Sequence, residues 1–250
     1  MNLALTMLHC LDPIVWAADC FGFKPDPSQA PFLASRHPRI VVNCSRQWGK
    51  STTASLKLMH RAEFRPGSLS IVLSPSGRQS AELLRRVTSL ARRLGYDAKG
   101  DGENEHSLIL PSGSRIIALP GSEKTTRGFS AVSLLVLDEA SRIEDTLYRA
   151  ARPFLAVGGG SLVMMSTPFG KKGFFWDTWE SKEDWQRFRV PATECPRIAK
   201  SFLNEEREAL GDLWFRQEYM CEFIENETSI FTYEEIQNAI RNKDIQWDLK

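Results

Sequence analysis

The sequence carries almost no excess charge: 32 Lys and Arg against 31 Asp and Glu leave a net of +1 at pH 7. That balance excludes a chain-wide electrostatic footprint for nucleic acid, so any contact with DNA or RNA has to come from a local patch. Paired cysteines are missing too. The five present (Cys10, Cys20, Cys44, Cys195 and Cys221) are an odd number, widely scattered, with no CxxC pair and no histidine at ligand spacing. This pattern argues against a disulfide framework and a structural zinc site, and it suits a reducing cytoplasm. No uninterrupted run of about 20 apolar residues exists, so no segment reads as a membrane span. The apolar start, MNLALTMLHCLDPIVWAADC, lacks a basic leading region and is broken by His9, Asp12 and Pro13, which argues against a signal peptide. Internal repeats and low-complexity tracts are also absent. What remains is a 250-residue chain, 42% hydrophobic, long enough for one large domain or one domain with a small appendage.

Strand and helix patterns alternate along that chain. Asp12 before Pro13 predicts an N-cap and a short helix to about Cys20. After the Pro-rich KPDPSQAP come a strand-like RIVVN (39–43), the loop CSRQWGKST (44–52), and a helix presenting Ala54, Leu58, Met59 and Ala62 to the core. LSIVLSP (69–75) predicts a second buried strand. In 77–95, Ala81, Leu84, Val87, Leu90, Ala91 and Leu94 fall at helical spacing, with Gly95 as the stop. The PSG turn inside 107–119 predicts a hairpin. SLLVLDEA (133–140) and SLVMMSTP (161–168) are two further strands, separated by a helix over about 145–156. From about Lys200 the chain is helical and highly charged, and Thr232 with Glu235 has capping-box spacing. The alternation implies an α/β domain with a mostly parallel sheet.

Two motifs carry chemistry. Gly49-Lys50-Ser51 lies between a strand and a helix, where loop N–H groups and a helix N-terminus cradle phosphate oxygens, a lysine reaches the β/γ phosphates and a hydroxyl ligates Mg²⁺. Alone, such a tripeptide also arises by chance at helix starts, and Cys44 stands where GxxxxGK[ST] has its first glycine. In the second, four apolar residues lead to Asp138 and Glu139 at the C-terminal end of a strand, where open α/β sheets gather their ligands. An acid there holds Mg²⁺, and its neighbour orients or deprotonates the attacking water. A strand ending in a solvated acidic turn would look the same in isolation. Both motifs in one chain favour a Mg²⁺-dependent ATPase.

With these residues in place, the chain resembles the ATPase half of the large terminase subunit of tailed bacteriophages and prophages. The resemblance rests on GFKPDPSQ (22–29), SRQWGKST (45–52), SIVLSPSGRQSAELLRR (70–86), the LPSGSRIIALPGS…TRG segment (110–128), LLVLDEA (134–140) and MMSTPFGKKGFF (164–175). It implies a RecA-like (ASCE) P-loop NTPase fold, with a small helical C-terminal appendage, that hydrolyses ATP with Mg²⁺ to drive double-stranded DNA into a procapsid. By the same resemblance the phosphate loop comprises Ser45, Arg46, Gln47, Trp48, Gly49, Lys50, Ser51 and Thr52, with Ser51 and Asp138 holding Mg²⁺ and Glu139 as catalytic acid. Gln29 matches the residue that contacts adenine, Arg46 one that senses the γ-phosphate, and Arg127 one that acts as a finger on a neighbouring subunit's nucleotide. Ser166 and Thr167 match the coupling motif ahead of a GKKGFF loop. The resemblance also implies a portal protein and a small terminase subunit as partners, a homo-oligomeric ring, no membrane, and work in the bacterial host cytoplasm.

The expected organisation is an N-terminal segment over 1–36, an ATPase core over 37–199 and an appendage over 200–250. The acids Glu205, Glu206, Glu208, Glu222, Glu225 and Glu227 read as solvated faces, so no nuclease activity is expected of this chain. Arg85, Arg86, Arg92 and Arg93 recur about seven residues apart and form a stripe that tracks DNA phosphates or is simply solvated; Lys171 and Lys172 stand nearer the coupling motif. The competing expectations are a superfamily-2-like helicase or remodelling ATPase, and a non-motor prophage-remnant nucleotide-binding module.

Overall fold

The computed structural model describes residues 3–102, 106–121 and 128–225. Arg127 and the Thr232–Glu235 capping box lie outside the described residues, as does Glu227. Asp12 caps the first well-packed helix: its carboxylate accepts from the N–H groups of Ile14 and Val15 at 2.8 and 3.1 Å. That helix, α2 (Pro13–Phe21), follows α1 (Leu3–Leu11), which buries no residue. The bend between α1 and α2 is 118°, and no single helix is long and apolar enough to cross a membrane.

The remaining elements alternate as their apolar patterns require. They are α3 (Gln29–Ala34), β1 (Arg39–Cys44), α4 (Lys50–Phe64), β2 (Leu69–Ser74), α5 (Gly77–Arg93), β3 (Ser107–Ile109), β4 (Arg115–Pro120), β5 (Val132–Asp138), α6 (Asp145–Ala151), β6 (Ser161–Ser166), α7 (Gly173–Glu180), β7 (Gln186–Val190), α8 (Lys200–Leu210) and α9 (Asp212–Met220). The strands form one sheet in the order β3-β4-β2-β5-β6-β1-β7, and only β3 runs antiparallel to its neighbour. A parallel sheet is covered on both faces, which is why its strands read as continuous apolar runs. Successive residues then serve opposite cores. Ile40, Val42 and Cys44 of β1 pack with α2–α5, while Val41 packs with α6 and α7.

This architecture fixes the position of the chemistry. β5, β6 and β1 are consecutive in the sheet, so their C-terminal ends bring Asp138, Ser166 and Cys44 to one edge. A third small cluster, Ala192, Leu203, Phe215 and Tyr219, ties α8 and α9 together. Two segments differ from the sequence expectation. The helix over 145–156 ends at Ala151 and continues as a 3₁₀ turn over Arg152–Leu155, since Pro153 has no N–H to continue the α pattern. The GKKGFF loop is shorter than read: Gly173 already opens α7, whose Phe174 N–H is capped by Asp145 Oδ1 at 3.0 Å.

Candidate functional site

The loop from β1 to α4 is shaped by two left-handed residues, Gln47 (φ 62°) and Gly49 (φ 100°). Cys44, in place of the usual glycine, is the last residue of β1 and fully buried; the turn is made three residues later. The first part of the loop is stitched to the protein. Ser45 N–H donates to Val190 O, and Arg46 N–H to Glu218 O. Among the described residues, the N–H groups of Gln47, Trp48 and Gly49 donate to no protein acceptor, and those of Lys50 and Ser51 begin a helix, where such groups have no intrahelical partner. The loop thus presents a run of donors to one cavity of about 480 Å³, lined by residues 46–52 with Gln79, Arg86, Glu139, Arg142 and Thr167.

Gly49 is required twice over. Its φ lies where side chains are strained, and a Cβ there would stand 2.8 Å from Gln29 Nε2. Gln29 is in no position to yield, because its amide donates to Trp48 O at 2.8 Å and accepts from Asp26 N–H at 3.2 Å. Gly49→Ala is therefore expected to cost about 1–3 kcal/mol of stability and to weaken nucleotide binding; urea unfolding and equilibrium nucleotide titration measure the two.

Across the cavity, Glu139 sits in the left-handed region at φ 52°, a conformation that non-glycine residues hold only where their surroundings enforce it. It turns the carboxylate back toward the loop, where Oε1 lies 3.3 Å from Lys50 Nζ. Ser166 Oγ donates to Glu139 Oε2 at 3.3 Å, and Ser141 Oγ bridges Ser166 Oγ and Thr167 O at 2.7 and 2.8 Å. Asp138 is 6% exposed, and its Oδ1 is buried with no hydrogen-bond partner. Burial first, then the neighbouring Glu139 charge, push its pKa up to about 6. A buried carboxylate oxygen without a partner at a strand end fits a hard cation such as Mg²⁺.

The structure gathers most of the residues singled out in the sequence, but several in other roles. Ser45 is fully buried, its hydroxyl 4.0 Å from Cys195 Sγ, and it faces away from the cavity. Trp48 contributes only backbone: its indole is buried, donates to Ser28 Oγ at 2.8 Å and packs on Phe32. Gln29 is 2% exposed, not on the surface, and lies beneath the loop. Arg46 points at α9, its Nε 2.6 Å from Glu218 Oε2. Arg86, read as part of a stripe that tracks DNA or is solvated, lines the cavity instead, and the stripe is further engaged by Arg85–Glu82 pairing and by Arg93 donating to Phe21 O.

Four participants escaped sequence reasoning. Arg142 lines the cavity, lies 4.2 Å from the Phe169 ring centroid and 3.5 Å from Glu218. Gln79 lines it from α5. Arg197 donates to Asp26 and to Trp48 O, clamping the loop alongside Gln29. Glu218 is buried, and of the acids read as solvated, Glu206 accepts from the Tyr219 hydroxyl while Glu222 and Glu225 pair with Arg216 and Lys171; the signal for Glu218 was the spacing from Phe215 to Glu218 and Tyr219, which puts all three on the inward face of α9.

The large terminase subunit of Thermus virus P23-45 is 26% identical over 86% of this chain, which spans 52% of that protein. Among solved structures, the large terminase ATPase domain of Thermus phage P74-26 superposes with a TM-score of 0.75 at 22% identity, covering 86% of this chain and all of that one. The large terminase of another thermophilic bacteriophage, solved in complex with ADP, superposes at 0.68 with 12% identity, over 79% of this chain and 53% of that chain. This chain thus spans about half the length of the curated relatives it matches. Residues 41–238 fit the family model for the N-terminal part of the T4likevirus-type terminase large subunit, and with most of its length inside that model the chain belongs to the terminase large-subunit family.

Proposed function

We propose that this chain is the Mg²⁺-dependent ATPase part of a motor that drives double-stranded viral DNA into a procapsid. The observation that carries the proposal is the Lys50–Glu139 pair at 3.3 Å, set across a donor-lined cavity beside the unpartnered Asp138 oxygen. Phosphate oxygens enter the cavity and take the N–H groups of residues 47–51 together with the Lys50 ammonium. Lys50 then has a better partner than Glu139, and Glu139 Oε1 is released to accept a proton from water, while the Ser166 hydroxyl keeps Oε2 oriented. Ser51 and Asp138 would hold Mg²⁺, which supplies charge neutralisation at the phosphates.

Arg46 reaches a γ-phosphate only by leaving Glu218, so phosphate occupancy and the position of α9 are in competition. Ser166 and Thr167 relay the cavity's state through Ser141 to Phe169 and Lys172, the proposed coupling route. Gln29 would contact adenine only by exchanging its bond to Trp48 O. The domain divisions at 36/37 and 199/200, an Arg127 finger supplied in trans, a ring of copies, portal and small-subunit partners and action in the host cytoplasm belong to the same proposal. The relatives named as large terminases, and the ADP complex of one of them, support it.

The test is ATP hydrolysis with and without duplex DNA. Turnover is expected to require Mg²⁺, to fall to background in EDTA and to rise with DNA. Binding of ATP with no turnover, even with DNA and portal present, would sink the motor reading in favour of a non-motor nucleotide module. Strand separation on a forked duplex would point to a helicase.

A further inference from the structure

A second cavity lies at the other end of α4. It has a volume of about 400 Å³ and is bordered by Arg36, Lys57, His60, Arg61, Arg65 and Ser161. Ser161 opens β6 and Ser133, which Arg61 also approaches, lies near the start of β5. The cavity therefore sits at the N-terminal edge of the sheet, opposite the edge that holds Asp138 and Lys50.

Its charge is one-sided. The lining contains no Asp or Glu, and among the described residues no carboxylate forms an ion pair with Arg36, Lys57, Arg61 or Arg65. The partners of Arg36, Lys57 and Arg61 are neutral oxygens. Arg36 donates to Leu11 O at 2.6 Å, and Lys57 to the carbonyls of Phe32, Leu33 and Ser35 at 3.2, 3.3 and 2.7 Å. Arg61 makes only long contacts of 3.3–3.4 Å to Ser133 and Ser161. Acids beside the lining in sequence are engaged elsewhere, Asp12 by the N–H groups of Ile14 and Val15 and Glu63 by the Tyr96 hydroxyl. Burial, then Arg61, push Lys57 down to about 7. Burial also lowers His60, with Lys57, Arg36 and Arg61 adding to the effect, and lowers Arg61 with help from Arg65.

Like charges gathered at a half-buried site are held at a cost unless an anion shares them. Guanidinium forks offer paired donors that match phosphoryl oxygens. We propose that this cavity binds a phosphoryl anion, as a site separate from the nucleotide-phosphate cavity. Its volume admits a phosphoryl group carried on a larger body, either a free phosphate ester or pyrophosphate, or one phosphate of a DNA backbone.

Inorganic pyrophosphate is the probe, titrated calorimetrically into the full chain. Lys50→Ala removes the competing cavity and is expected to leave one pyrophosphate site. Adding Arg61→Gln and Arg65→Gln to that background is expected to weaken this remaining binding by about tenfold or more. Arg36→Gln, at an exposed position, gives a milder loss in the same direction and guards against misfolding, which circular dichroism reports. A short duplex that displaces pyrophosphate from the Lys50→Ala protein identifies the DNA backbone as the source; failure to displace identifies a free anion. The proposal is overturned if Lys50→Ala alone abolishes all pyrophosphate binding, or if the arginine variants bind as well as their parent.

Discussion

Glu139→Gln is expected to lower the ATP turnover number by about a thousandfold while leaving nucleotide affinity close to that of the wild type. The glutamine keeps the shape of the side chain and its oxygen can still accept from Ser166, so the left-handed backbone at residue 139 has no reason to relax. What it loses is the capacity to take a proton from water. A variant that turns over at the wild-type rate would remove Glu139 from the chemistry. The substitution also takes a negative charge from beside Asp138. Burial and that charge together hold Asp138 at about 6, above its ordinary 3.8. Between these values the folded protein keeps a proton that the unfolded chain releases, so stability falls as pH rises through the window, and the cost of ionised Asp138 stands in full above about pH 6. Without Glu139, the Asp138 pKa should fall and the cost shrink. Carboxyl titration followed by NMR on the nucleotide-free protein reads this directly.

Much of the sheet was legible because burial on both faces makes its strands predominantly apolar. β1, β2, β5 and β6 each centre on three or four consecutive apolar residues, with Asn43, Ser70, Ser74, Ser133, Ser161 and Ser166 as buried polar exceptions, and their order along the chain already implied where ligands collect. β7 was not legible for the converse reason. It is an edge strand with Arg187 and Arg189 in QRFRV, and only Val190 is buried; its strand character comes from pairing with β1, a long-range contact that no local pattern encodes. The N-terminus of α7 was missed because its cap, Asp145, comes from another helix.

The site divides along the same line. Lys50, Ser51, Asp138 and Glu139 declare themselves because loop-to-helix and strand-end positions demand those residue types. Arg86 and Arg142 reach the cavity through tertiary placement: on α5 the heptad-like spacing of the arginines says only that they share a face, not that the face meets the loop. Gln29 and Arg46 show a further limit. Their residue types and positions were informative, yet each is committed to a protein partner, Trp48 O and Glu218 respectively. A motif names the group that can serve a ligand and is silent on what holds that group when the ligand is away.

Lys50→Ala should weaken ATP binding by about a hundredfold or more, the usual scale for removing one partner of a desolvated charge pair. Among the described residues no other cation in the cavity is placed to replace it: Arg46 is bound to Glu218, Arg142 faces the same carboxylate and Arg86 is shared with Glu82. The loss has two parts, and a second substitution separates them. In the nucleotide-free protein Lys50 also offsets the charges of Glu139 and Asp138, so its removal leaves two adjacent carboxylates without their cation and lowers stability. Lys50→Ala/Glu139→Gln removes most of that repulsion. The double variant should therefore regain stability toward the wild type in urea unfolding while its ATP affinity stays as low as that of Lys50→Ala. A non-additive stability and an unrecovered affinity would assign Lys50 both to the ion pair and to the phosphate. Recovery of affinity along with stability would mean instead that Lys50 only shapes the loop, and that phosphate is bound by the backbone donors alone.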